Sequence, residues 1–122
     1  MQAIKGLSKQ WGQDIEVNGK QVEVRVTVNV YYDDHFDLDW DFESDEDRKQ
    51  VESQIERGIL NPVVIQVDSH IEGHLFGFDS LSGCLIQLTD AQVDEIVQGH
   101  GMVENSLDDA KKALQDFLKT VA

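Results

Sequence analysis

Five valines restrict the fold more than any other feature of this chain. Val22, Val24, Val26, Val28 and Val30 alternate without a break with Glu23, Arg25, Thr27 and Asn29. A period of two puts the valines on one face of a β-strand and the polar residues on the other. Asn18-Gly19 stands just before this run, and it is the pair favoured in type I′ hairpin turns, where both central residues need positive φ. A two-residue turn at that point sets Ile15 opposite Val22 and Trp11 opposite Val26. The apolar faces of the two strands then agree, which is the condition that pins register.

A second alternation follows, of Phe36, Leu38, Trp40 and Phe42 with Asp37, Asp39, Asp41 and Glu43. Read with the same period, residues 36–43 form a further strand, joined to the valine strand through a three-residue loop, Asp33-Asp34-His35. Val30 then faces Leu38 and Val28 faces Trp40, so aromatic and β-branched partners share the core face. The acids form a ladder on the other face, with Arg25 opposite Glu43 as the nearby cation. Neighbouring carboxylates in such a ladder stand about 7 Å apart and repel by roughly 0.6 kcal/mol per pair in water. Aspartate is depleted in strands, and broken local rules concentrate at functional surfaces.

Charge strengthens that reading. The chain of 122 residues has 24 acids against 10 bases, a net charge of −14. Nine of the acids fall within residues 31–47 with no base among them: Asp33, Asp34, Asp37, Asp39, Asp41, Glu43, Asp45, Glu46 and Asp47. These nine are the candidate partner-binding residues. Carboxylates in a row resemble the phosphates of one nucleic-acid strand, so they suit a basic protein partner such as a nucleic-acid-binding or defence protein. The alternative is a solvated face that aids solubility and blocks edge pairing. Direct nucleic-acid binding needs clustered Lys and Arg, which this charge balance opposes.

Chemistry finds little support. An EF-hand counted from Asp33 or Asp37 puts Ser44 or Arg48 at its twelfth position instead of Glu. Asp39-Trp40-Asp41-Phe42-Glu43 fits the D-x-D-x-E pattern of chitinase-like glycosidases, but the chain is too short for the barrel in which that motif works. His70, Glu72 and His74, read on one strand, share a face and offer a second metal-binding alternative, although residues on a straight strand diverge. Cys84 reads as a buried thiol, and one cysteine makes no disulfide. No nucleophile has a base at a readable spacing, so the expectation is a non-enzymatic protein with no cofactor, no catalytic residue and no assigned metal ligand.

The remaining signals complete an α+β chain. Ser44 caps a helix with Val51 and Ile55 on its buried side, and Gly58 stops it. Residues 62–68 read as a strand, His70 to Phe78 as another, and Asp79–Ser82 as the turn into a strand over Gly83–Leu88. Thr89 and Gln92 cap a short helix ending near Gly99. Asn105 or Ser106 opens the last helix, with Asp108 and Asp109 in its first turn. Leu107, Ala110, Leu114, Phe117, Leu118 and Val121 share one face of it. The expected architecture over residues 1–122 is a single domain, one twisted antiparallel sheet built from hairpins and flanked by a C-terminal amphipathic helix and shorter helices. The N-terminus has no apolar stretch of the signal-peptide kind, and a cytoplasmic protein without membrane contact is expected.

Three blocks resemble a family of small acidic proteins carried by phages, plasmids and bacterial genomic islands: Val-Asn-Val-Tyr-Tyr-Asp-Asp-His-Phe-Asp-Leu (28–38), Gly-Phe-Asp-Ser-Leu-Ser-Gly-Cys (77–84) and His-Gly-Met-Val-Glu-Asn-Ser-Leu (100–107). That resemblance implies a mobile-element context and no catalytic residues. In its layout of hairpin strands, acidic stretch and terminal amphipathic helix, the chain is also similar to the mitochondrial acidic matrix glycoprotein family, which includes a receptor for the complement globular head. This second resemblance implies self-association, as a trimer in that family, here through Leu114, Phe117 and Leu118 of the last helix.

Overall fold

The computed structural model describes residues 3–38 and 40–121. Four strands, β1 (Lys9–Val17), β2 (Lys20–Tyr32), β3 (Asn61–Ile71) and β4 (His74–Ile86), form one antiparallel sheet in the order β1-β2-β3-β4. Three helices complete the fold: α1 (Asp45–Glu56) between β2 and β3, then α2 (Asp90–Gly99) and α3 (Met102–Val121) after the sheet. This is the expected α+β class.

The first hairpin forms in the register that its turn demands. Asn18 and Gly19 adopt φ of 53° and 81°, and Ile15 pairs with Val22 and Trp11 with Val26. The four valines from Val24 to Val30 are buried on the face that α2 and α3 cover. Across the seam Val26, Val28 and Val30 pair with Ser69, Val67 and Ile65 of β3, all fully buried.

The described residues of 36–43 are not a strand; they run irregularly between β2 and α1. The place expected for them beside β2 is held by β3, with Val30 opposite Ile65, Val28 opposite Val67 and Arg25 opposite His70. Burial accounts for this outcome. The β3 segment adds apolar side chains to the covered face, and to the open one Val64, Gln66, His70 and a single acid, Asp68. The acidic segment would bring a column of carboxylates.

Further expectations need correction in the second half. His70–Phe78 is not one strand but the end of β3, a turn at Glu72-Gly73 and the start of β4. Glu72 and Gly73 have φ of 50° and 82°, so they make the same mirror-image turn as Asn18-Gly19 with an unusual first residue. Asp79–Ser82 is not a turn either, because β4 continues to Ile86. Its register slips between the Val63–Cys84 and Ile65–Leu81 pairs, where Gly83 sits at φ 72°, a bulge in β4. Helix α3 starts at Met102, not at Asn105 or Ser106, so Asp108 and Asp109 lie beyond its first turn. The N-caps of the other two helices stand as expected, with Ser44 Oγ accepting from Asp47 N and Thr89 Oγ1 from Gln92 N, both at 3.2 Å.

Helix α3 packs its backbone directly against the sheet at Gly77. A Cβ there would stand 2.2 Å from the Ser106 carbonyl oxygen and 2.5 Å from Ala110 N. Beside this contact the hydroxyls of Ser69 and Ser106, both fully buried, share a hydrogen bond of 2.8 Å. Each buried hydroxyl thus has a partner beside this close approach. Of the apolar face of α3, Leu107, Ala110 and Leu114 turn inward, whereas Phe117 and Val121 are more than half exposed.

Candidate acidic interface

The acidic segment leaves the sheet at the end of β2. Asp33 N donates to the Pro62 carbonyl at 3.0 Å, which extends the β2–β3 pairing by one bond. The Asp33 carboxylate is spent on the fold itself. One oxygen accepts from His35 N at 3.1 Å, in an Asx turn, and the other from Gly83 N at 3.3 Å in the β4 bulge. Asp33 therefore anchors the segment to the far side of β3.

Beyond this anchor the segment is organised around aromatic rings. Trp40 meets Phe36 edge-on at 6.3 Å and stacks on Phe42 at 6.4 Å between centroids. Arg48, the first base after the acidic block, clamps the group. Its guanidinium lies 5.8 Å from the Phe42 centroid, donates to the Leu38 carbonyl and pairs with Glu52 at 3.1 Å. Sequence reasoning missed this role for Arg48, although its i, i+4 relation to Glu52 was a visible signal. Phe36, Leu38 and Phe42 are half-buried, and Trp40 keeps 43% of its surface exposed.

Asp34, Asp37, Asp41, Glu43, Asp45, Glu46 and Asp47 are exposed. Asp39 lies outside the described residues. Among the described residues the salt bridges are Lys9–Asp94 and Arg48–Glu52, so none of these acids is paired with a cation. Three of them, Asp45, Glu46 and Asp47, occupy the first turn of α1, where the helix dipole favours negative charge. No residue of α1 is buried; Val51 and Ile55, expected inside, are half-buried. The acids thus form an exposed cap over an irregular loop and a helix start, not a ladder on a strand.

His70, Glu72 and His74 do not share one strand face. Glu72 is in a turn, and cross-strand pairing puts His74 on the side of Ile71, opposite to His70. Among the described residues no three His, Cys, Asp or Glu side chains cluster as metal ligands. Cys84 is buried, and its thiol pKa is raised by burial and by the nearby Asp33 charge. His70 joins Arg25 and Thr27 in lining a shallow depression of about 850 Å³ on the open face of the sheet, with Glu23 and Glu72 at its side. No helix among the described residues is long and apolar enough to cross a membrane. No family model, curated protein or solved structure matches the chain.

Proposed function

We propose that this chain is a non-enzymatic acidic binding protein that engages a basic protein partner through residues 33–47. The observation that carries this reading is the combination of exposed carboxylates without cation partners and an aromatic cluster that holds their backbone in shape. A solvated tail needs no such scaffold, whereas a recognition surface benefits from one because less ordering remains to be done on binding. Exposed Trp40 at the centre of the cluster supplies an apolar anchor inside the charged rim. The resemblance of residues 28–38, 77–84 and 100–107 to small acidic proteins of mobile elements supports a genomic-island context and a cytoplasmic partner of the nucleic-acid-binding or defence type.

The test is capture from host lysate at graded salt, comparing the wild type with Asp37→Asn/Asp39→Asn/Asp41→Asn and following Trp40 fluorescence, in a Trp11→Phe background, with the captured protein once purified. The reading expects one dominant basic protein, released by salt, lost in the triple variant and quenching Trp40. Equal retention by the variant would sink it.

Exposed Phe117, Leu118 and Val121 favour a second reading, a homo-oligomer joined through the end of α3. Leu114 drops out of that interface because it packs inward. Sedimentation of the wild type as a monomer at micromolar concentration would remove this reading.

A further inference from the structure

The two edges of the sheet are finished differently. On β4, the amides of Phe78 and Ser80 donate to carboxylates, Asp109 Oδ2 at 3.2 Å and Asp79 Oδ1 at 3.0 Å. Asp79 is itself held by Asn105 Nδ2 at 3.0 Å. The middle of that edge is therefore closed to another strand.

Nothing equivalent closes β1. Val17 and Lys20 flank its two-residue turn and the pairing with β2 runs without a slip to Lys9, so the odd-numbered residues exchange hydrogen bonds with β2. The N–H and C=O groups of Gln10, Gly12, Asp14 and Glu16 point away from the sheet. Among the described residues no turn, loop or cap hydrogen bond takes them up. A cavity of about 290 Å³ lies directly beside this edge, between Ile15 of β1 and Leu107 of α3. Glu16, Glu104 and Asp108 line it against a single cation, Lys111.

We propose that the free edge of β1 is a strand-addition site for an extended basic peptide segment. Main-chain bonds to Gln10, Gly12, Asp14 and Glu16 would supply affinity, and alternate side chains of the added strand would face α3. One of these, Lys or Arg, lays its apolar stem between Ile15 and Leu107 and turns its charge toward Glu104 and Asp108. The excess of carboxylates around the cavity selects a basic occupant, and the net charge of −14 opposes a second copy of the chain. This surface is distinct from residues 33–47, so either can fail without the other.

The probe is an end-capped octapeptide of alternating Lys and Thr, with a Glu/Thr peptide as control, titrated into the full chain under amide NMR and hydrogen exchange. The expected result is shifts and slowed exchange at Gln10, Gly12, Asp14 and Glu16 with the Lys peptide alone. Gly12→Pro removes an outward N–H and is compatible with an edge strand; its Cβ would meet only the mobile end of Glu23, at 3.4 Å. Binding should be lost in this variant. Glu104→Gln/Asp108→Asn keeps the edge intact and should weaken binding and flatten its salt dependence, so the test holds even if Gly12→Pro does not fold. Shifts confined to residues 33–47, or β1 amides protected in the free protein together with sedimentation as a dimer, would overturn the proposal.

Discussion

Strand β2 and the acidic segment have the same pattern and opposite fates. Both alternate apolar with polar residues, yet Lys20–Tyr32 becomes a central strand and residues 36–43 join no strand among the described residues. The difference lies in the polar half of the pattern. Between its valines β2 places Glu23, Arg25, Thr27 and Asn29, which mix signs and suit a pleated open face. The acidic segment offers one sign only, and its apolar half is aromatic, able to satisfy itself in a local cluster. Alternation makes a segment eligible for a sheet; competition for the edge of β2 decides, and β3 brings more buried apolar surface.

This contrast predicts that damage concentrates under the sheet and fades toward the acidic segment. The largest effect is expected from Gly77→Ala, whose methyl would collide with the backbone of α3 at Ser106 and Ala110. Thermal unfolding should show the greatest loss of all single changes, and a normal melting temperature would mean that α3 can slide away. Next comes the core seam, where Ile65→Ala should lose about 2–5 kcal/mol in urea titration. Trp40→Ala should lose only about 0.5–1.5 kcal/mol, the range of an aromatic pair; a loss as large as that of Ile65 would make the aromatic cluster part of the core.

The acids themselves should matter less still. Asp37→Asn/Asp41→Asn is expected to stay within about 0.5 kcal/mol of the wild type, as exposed changes do, so any loss of partner binding in it would be a surface effect. The smallest effect joins the two regions. Burial and the Asp33 charge raise the Cys84 pKa and keep the thiol protonated near neutrality, so alkylation of the native protein should be slow. Asp33→Asn removes the charge, lowers that pKa and should speed alkylation modestly. An unchanged rate would uncouple the segment from the β4 bulge.

What could be read from the sequence follows the same divide. The first hairpin, the caps at Ser44 and Thr89 and the burial of alternate valines were legible because each rests on neighbouring residues. The second hairpin was not, since Glu72 takes a left-handed φ that usually signals Asn, Asp or Gly. Local clues also placed the start of α3 at the polar Asn105-Ser106 pair, although Met102 is already helical and buried. For the candidate site, the position of the charge was readable but its geometry was not. The irregular path of the acids depends on β3, far along the chain, winning the edge of β2. The hold of Arg48 on Leu38 and Phe42 follows from that path and was equally hidden, whereas its i, i+4 pairing with Glu52 could be read in the sequence.

The route by which the sheet is joined has a kinetic consequence. Hairpins β1–β2 and β3–β4 each close through two residues, but the seam between them waits on a connection of 28 residues, from Asp33 to Leu60. Chain entropy alone makes that closure about 2 kcal/mol harder than a two-residue turn, and mutual repulsion among the acids within it swells the unfolded connection further. Docking of the two hairpins along Val30 and Ile65 is therefore expected to set the folding rate. Salt should quicken it by screening the connection, while each hairpin on its own would hardly respond.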